Sequence, residues 1–259
     1  MNSNLYFNEI AWRSEVGLHR EGNEDSGLVS KTLVAVADGM GGYVGGEIAS
    51  STVIRKLEAT LPLISNEEID QQSREEFLRS SVENMDSAIA KIAEERPELS
   101  GMGTTLTALT LIGSSAVLLH IGDSRAYRIR GKTITQLSHD HTVVQELIDQ
   151  GRITSDEVAD HPQRSFLTQA LMGQKNLQPA LLAFPLEKDD IFLLCSDGLT
   201  NVVDEAAIAQ AFTNTLEGAV NSLVDLTYKN GAPDNVTVIA VRIGNSKYEG
   251  KTVFVGAAS

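Results

Sequence analysis

The spacing of apolar positions changes several times along the chain, and each change predicts an element. "EIAWRSEVG" and "SGLVSKTLVAVA" read as strands. After a run of glycines, "GEIASSTVIRKLEATLPLI" takes helical spacing and is expected to stop near Pro62. Leu78, Val82, Met85, Ile89 and Ile92 follow at intervals of 4, 3, 4 and 3, one apolar stripe along a second helix that Pro97 ends. Between 104 and 137, "TTLTALTLIG", "SAVLLHIG", "RAYRIRG" and "TITQL" are short, β-rich and separated by Gly or Ser turns. Links that short leave no room for crossover helices, so neighbouring strands are expected to be antiparallel. Residues 139–172 are more polar and mostly helical in pattern, an expected flap inserted between strands, with Thr154 or Ser155 as an N-cap. "DIFLLCSDG" resumes the sheet, helices are expected around 204–213 and 216–229, and "NVTVIAVRI" reads as the last strand. That leaves one domain over 1–243 and a C-terminal tail over 244–259. The order predicts an α+β layered sandwich with helices packed outside sheets.

Composition narrows the function. The 259 residues are 42% hydrophobic, enough for one substantial core. A formal charge of −14 makes nucleic acid and anionic lipid poor partners, because phosphate backbones are bound by clustered Lys and Arg. The single Cys195 excludes an internal disulfide and fits a reducing compartment. No apolar run approaches the ~20 residues that span a bilayer, and "MNSNLYFNEIAWR" lacks the order of a signal peptide. A cytoplasmic domain is expected, with membrane anchoring possible only through sequence beyond residue 259; a monomer is the default.

Candidate chemistry begins in "LVAVADGMGGYVGGE" (33–47), where an apolar run ends on Asp38 and five glycines fall within the next eight positions. "FLLCSDG" ends the same way on Asp197, "VLLHIGDSR" reaches Asp123, and "APDNVTVIAV" begins a strand after Asp234; Asp25 precedes another strand. Each Asp-Gly alone reads as a turn. In an antiparallel sheet, however, the start of one strand lies beside the end of the next, so these carboxylates can gather at one edge. Two carboxylates ~5 Å apart repel by roughly 3 kcal/mol at an effective dielectric near 20. Converging acids therefore take up protons or need a cation. The donors are all oxygen and no zinc-type spacing occurs, which suits Mg²⁺ or Mn²⁺. Gly39 can present its carbonyl to an ion with no side chain in the way. The stretch lacks both GK[ST] and GxGxxG, so a nucleotide loop is disfavoured. Cys195 and His120 read as core residues. His139 and His141, in "SHDHT", read as the solvated start of a helix capped by Ser138 or Asp140.

Six stretches in order, "REGNED" (20–25), "VADGMGG" (36–42), "GMGTTLTA" (101–108), "HIGDSRAY" (120–127), "LLCSDGL" (193–199) and "PDNVTV" (233–238), resemble the metal-dependent Ser/Thr protein phosphatases of type 2C in their bacterial form. The resemblance covers residues 8–243 and is strongest to actinobacterial members acting opposite PASTA-type Ser/Thr kinases. It implies a four-layer α-β-β-α sandwich with two central, mainly antiparallel sheets. It implies that Asp38 bridges two Mn²⁺ or Mg²⁺ ions, with the Gly39 carbonyl on the first and Asp197 and Asp234 on the second. Asp123 with Asp197 would bind a third. Glu24 and Asp25 would orient metal-bound waters, Arg20 would clamp the substrate phosphate, and Asn235 would support the Asp234 loop. A hydroxide shared by the two ions would attack phosphoserine or phosphothreonine in line, with no phosphoenzyme. Partners would be phosphorylated proteins, a Ser/Thr kinase among them. Met40 and Tyr43 stand where family members carry a histidine assigned as general acid, so a metal-bound water would protonate the leaving group. The alternative is a catalytically weak phosphoprotein-binding scaffold, disfavoured because the metal aspartates are retained.

Overall fold

The computed structural model describes residues 4–42, 45–174, 177–213 and 215–259. Its strands are β1 (Tyr6–Glu15), β2 (Asp25–Val29), β3 (Leu33–Met40), β4 (Gly103–Thr104), β5 (Leu106–Ile112), β6 (Ser115–Ile121), β7 (Arg125–Arg130), β8 (Thr133–Gln136), β9 (Ala180–Pro185), β10 (Ile191–Cys195), β11 (Val236–Gly244) and β12 (Val253–Gly256). Its helices are α1 (Gly45–Glu58), α2 (Leu61–Ile64), α3 (Gln71–Glu95), α4 (Val143–Asp149), α5 (Asp197–Thr200), α6 (Glu205–Ala211) and α7 (Leu216–Lys229). One sheet runs β1-β11-β10-β7-β8 and the other β12-β2-β3-β5-β6-β9, with β4 beside β3; every pairing is antiparallel.

Three apolar clusters separate four layers. Leu33, Ala35 and Ala37 of β3 meet α1 and α3 through Val53, Leu57, Leu78, Val82, Met85 and Ile89. Val34 and Val36, on the opposite face of β3, meet Phe192, Leu194, Ile239 and Val241 of the other sheet. Leu193 and Cys195 of β10 face α7 through Leu216, Val220 and Leu223. Both faces of the central strands are buried, which is why they read as unbroken apolar runs rather than alternations. This is the predicted four-layer α-β-β-α sandwich. The α3 stripe lies where its spacing put it, with Asp70 as N-cap accepting from Ser73 N at 2.9 Å.

Several local expectations are corrected. The first helix stops at Glu58, and Pro62 lies inside a separate short helix, α2, in the first turn that proline tolerates. Strands β6 and β7 are not neighbours despite their short link: the chain crosses from one sheet to the other through Gly122, Asp123 and Ser124, and Gly122 takes φ +106° to do so. The edge strand β9 had no reading in the sequence. The 139–172 segment is helical only over α4 and a single 3-10 turn at Ser155–Glu157, which opens with Thr154 donating to the Glu157 carboxylate. The rest of it is tied by turns and two isolated bridges, Thr104–Leu171 and Thr142–Leu167. Nor is 244–259 a free tail, and β11 is not the last strand: β12 adds to the edge of β2, with Val255 and Ala258 buried. Four residues are too few to display a period, so that strand was silent in the sequence. Among the described residues no helix is long and apolar enough to cross a membrane.

Candidate active site

The site forms at one mouth between the two sheets because of strand parity. Asp38 continues the inner-face series Val34, Val36 at the end of β3, and Asp25 on β2 pairs with it directly across the ladder. Ser196, next on the inner-face series Phe192, Leu194 of β10, donates to Asp25 Oδ2 at 2.7 Å and accepts from Thr237 N at 3.0 Å. The sandwich thus swaps apolar for polar side chains over the last residues of its strands. Asp197 follows at the start of α5, where Asn201 Nδ2 donates to its Oδ2 at 2.9 Å. Asp123 arrives on the crossing between sheets and Asp234 on the loop before β11.

The backbones at this mouth are packed to contact. A Cβ at Gly39 would stand 2.1 Å from the Gly46 carbonyl oxygen, and one at Gly198 would stand 1.9 Å from the Asn235 carbonyl oxygen. Only glycine permits those approaches. Asp38 is clamped through its backbone: its N–H donates to Thr105 Oγ1 at 2.9 Å and its carbonyl accepts from Thr104 Oγ1 at 2.9 Å. Asn235 ties two loops together, accepting from Glu24 N at 2.8 Å and donating to Gly22 O at 2.9 Å. The Glu24 carboxylate lies against the N-terminus of α1, where the Gly46 N–H reaches it.

Electrostatically the site is an acid cluster almost without bases. Among the described residues no Lys or Arg lies within ion-pair distance of Asp25, Asp38, Asp123 or Asp197. Asp234 is the exception, accepting from Arg20 Nη2 at 2.6 Å, while Arg20 Nη1 stands 3.9 Å from Glu24. Burial first, and then the charges of Asp197 and Asp234, push the Asp25 carboxyl up to about 7 against the bonds from Ser196 and Thr237. Burial and then Asp197 push Asp123 up to about 7. Asp38 is raised well above the usual carboxylate range by burial, then by Asp25 and Asp197, and Asp197 is raised by burial, then Asp234. Glu24 is raised by burial, against the lowering effect of Arg20.

Among the described residues, no three His, Cys, Asp or Glu side chains close tightly enough on one point to make a finished ligand sphere. The residues nonetheless fit a hard divalent cation. Asp25 Oδ1 is buried with no hydrogen-bond partner, and the clustered donors are carboxylate oxygens. The histidines do not compete. His120 is a satisfied core residue, bonded to Thr107 Oγ1 at 3.0 Å and His139 O at 3.0 Å, and burial lowers it to about 3. Cys195 is buried on the face toward α7, and burial pushes its thiol up to about 12.

The "SHDHT" reading is corrected. His139 is exposed, as expected, and pairs with Asp149, but His141 packs 5.0 Å from the His120 ring and its Nδ1 accepts from Gly122 N at 3.1 Å. Neither Ser138 nor Asp140 caps the helix: Asp140 is buried in a fork of Arg125, Ser138 bonds to Ala126 N, and Thr142 caps α4. Tyr43 lies outside the described residues; Met40 ends β3 and has no titratable group. Sequence reasoning gave no role to Thr104, Thr105, Ser196 or Asn201. Ser196 and Asn201 had only the signal of sitting within, or two residues beyond, a stretch singled out for its aspartate; Thr104 and Thr105 lie in "GMGTTLTA", which carries no acid.

A family model described as "Protein phosphatase 2C" matches residues 23–224. The chain is 40% identical over 251 residues to the serine/threonine protein phosphatase PstP of Mycobacterium tuberculosis, covering 96% of this chain and 48% of that protein. It thus spans about half the length of that curated relative. It is 35% identical to the serine/threonine phosphatase Stp of Listeria welshimeri, covering 89% of this chain and 94% of that one. Among solved structures, the catalytic domain of PstP in complex with two manganese ions superposes with a TM-score of 0.84 at 38% identity, covering 93% of this chain and 100% of that one. The Staphylococcus aureus phosphatase Stp1 superposes at 0.83 with 33% identity, covering 93% and 95%.

Proposed function

The chain belongs to the protein phosphatase 2C family, and from that premise we propose that it hydrolyses phosphoserine and phosphothreonine esters in proteins with two Mn²⁺ or Mg²⁺ ions bound at the acid mouth. The observation that carries this reading is the meeting of Asp25, Asp38, Asp123 and Asp197 without a basic partner among the described residues, an arrangement that needs cations to be tolerated as carboxylates. Asp38, Asp197, Asp234 and the Gly39 carbonyl would hold the core pair, and Asp123 with Asp197 a third ion. When bound, the cations supply Lewis acidity, lowering the pKa of a water from 15.7 toward ~7 and screening phosphate charge.

The protein's own groups do the rest. Arg20 is half-exposed at the rim, and its planar fork matches two phosphate oxygens once it lets go of Asp234. Ser196 fixes one Asp25 oxygen, and the other is buried without a hydrogen-bond partner. Asn235 ties the Glu24 and Asp234 loops together, so carboxylates far apart in the sequence are held in one place. Among the described residues neither a cysteine nor a histidine is placed to take the phosphoryl group, which supports hydrolysis in one displacement. In the cell the enzyme would reverse Ser/Thr kinase signalling, in a reducing compartment, with substrate choice in the 139–172 flap.

The test is phosphate release from p-nitrophenyl phosphate and from a phosphothreonine peptide, with Mn²⁺, with Mg²⁺ and with chelator. Metal-dependent turnover on both substrates is expected. Turnover that survives chelation overturns the metal reading, and a folded, metal-binding chain with no turnover leaves the scaffold alternative.

A further inference from the structure

Asp25 is held from two sides, and one of them lies at the far end of the chain. Strand β12 pairs with β2 in the register Val253–Val29, Phe254–Leu28, Val255–Gly27 and Gly256–Ser26. One step further, Ala257 N donates to the Asp25 carbonyl at 2.8 Å. Without β12, β2 would be the edge strand of its sheet, and the outer backbone groups of Asp25 would have no ladder partner. At the end of β12 the chain presses against both sheets. Gly256 adopts φ +65°, and a Cβ there would stand 2.2 Å from the Asp25 carbonyl oxygen and 3.0 Å from Ser14 Oγ of β1. Ser14 Oγ in turn bonds to Thr237 Oγ1 at 2.7 Å, the residue whose N–H reaches Ser196 beneath Asp25.

The strand is also latched to a helix. Arg55 of α1 lies 4.7 Å from the centre of the Phe254 ring and its Nη2 donates to Ala258 O at 2.7 Å. Val255 enters the core between the sheets, and Ala258 enters the core under α1. Beyond β11, then, residues 253–258 engage three of the four layers within one short segment, all around the backbone of Asp25.

We propose that the C-terminal strand, through Gly256 and Ala257, is a positioning element for Asp25 and hence for divalent-cation binding at the mouth. The inference rests on the metal reading above. The Asp25 side chain faces Asp38 across the ladder, so a shift of its carbonyl on the outer side moves a carboxylate on the inner side of the same residue. Arg55, Gly256 and Ala257 donate nothing to the site themselves; they act by fixing where Asp25 stands.

The test measures Mn²⁺ binding to the full chain by calorimetry, beside melting of the metal-free protein. Gly256→Ala places a methyl against the Asp25 carbonyl and is expected to raise the Mn²⁺ Kd about tenfold. Arg55→Ala loosens only the latch and is expected to raise it about threefold, and it serves as the deciding variant if Gly256→Ala does not fold. Leu223→Ala, in the core under α7, is the control: it lowers the melting temperature at least as much and leaves the Kd unchanged. A Kd unchanged in the folded variants, with only the melting temperature lowered, overturns the proposal and leaves β12 a structural edge strand. No Mn²⁺ binding by the unsubstituted chain overturns the metal reading, and this inference with it.

Discussion

Two groups of aspartates sit on the same sandwich and are treated in opposite ways. On the outer side of the five-stranded sheet, Asp140 is gripped by Arg125 at 2.7 and 2.9 Å and by Gln136 at 2.9 Å. Asp190, fully buried, is gripped by Arg130 at 2.6 and 2.7 Å and accepts from Glu187 N at 2.9 Å. Each of these acids has a guanidinium fork of its own, the arrangement that makes a buried carboxylate tolerable. At the mouth, Asp25, Asp38, Asp123 and Asp197 have none among the described residues, and Arg20 pairs with Asp234 and, at 3.9 Å, with Glu24. The first group finishes the fold; the second leaves charge uncompensated, which is what a site for cations requires. A buried Asp is therefore informative only together with its partner.

The sharpest break between the groups is Asp38→Ala. It is expected to cost at least about 10³-fold in kcat/KM, because a ligand shared by two cations is lost. The melting temperature of the metal-free protein should stay level or rise, since a repelling carboxylate has gone. Unfolding on this substitution would place Asp38 with the structural aspartates. Asp190→Ala is the mirror experiment. Arg130 would keep the exposed Glu187 and the Pro185 carbonyl, and breaking the pair should cost about 2 kcal/mol, below the fully buried range because Arg130 is about one-third exposed. Melting should fall by several degrees, with turnover per folded molecule unchanged.

Proton linkage separates the groups next. With Asp25 and Asp123 raised from 3.8 to about 7, the folded metal-free protein holds more protons than the unfolded chain between those values. Stability from these carboxyls therefore falls as pH rises from about 4 to about 7 and levels off above. Melting scans with chelator should show that decline, and Mn²⁺ should reverse it most at pH 8, where the carboxylates are ionised. A metal effect of the same size at pH 5 would count against the cluster as its binding place. The smallest effect is expected of Arg20→Ala: about a tenfold rise in KM with kcat changed much less. An unchanged KM would remove Arg20 from the phosphate site.

Much of this was legible in the sequence, for reasons that can be stated residue by residue. The stripe from Leu78 to Ile89 and the doubly apolar runs of β3, β10 and β11 reflect which faces are buried, and burial faces are written in side-chain order. Asp38 and Asp197 were conspicuous because an acid directly after such a run breaks the pattern. Pairing was legible only in part: β2–β3, β5–β6 and β7–β8 are the antiparallel neighbours that their short links predict. Whether β7 follows β6 into the same sheet, whether four residues at 253–256 add an edge, and whether His141 faces water or His120 are all decided by contacts between residues far apart in the chain. Above all, nothing local shows that Asp140 and Asp190 are held by arginines. That belongs to where the arginines fall in space, because Coulombic compensation depends on distance through the fold and not along the sequence.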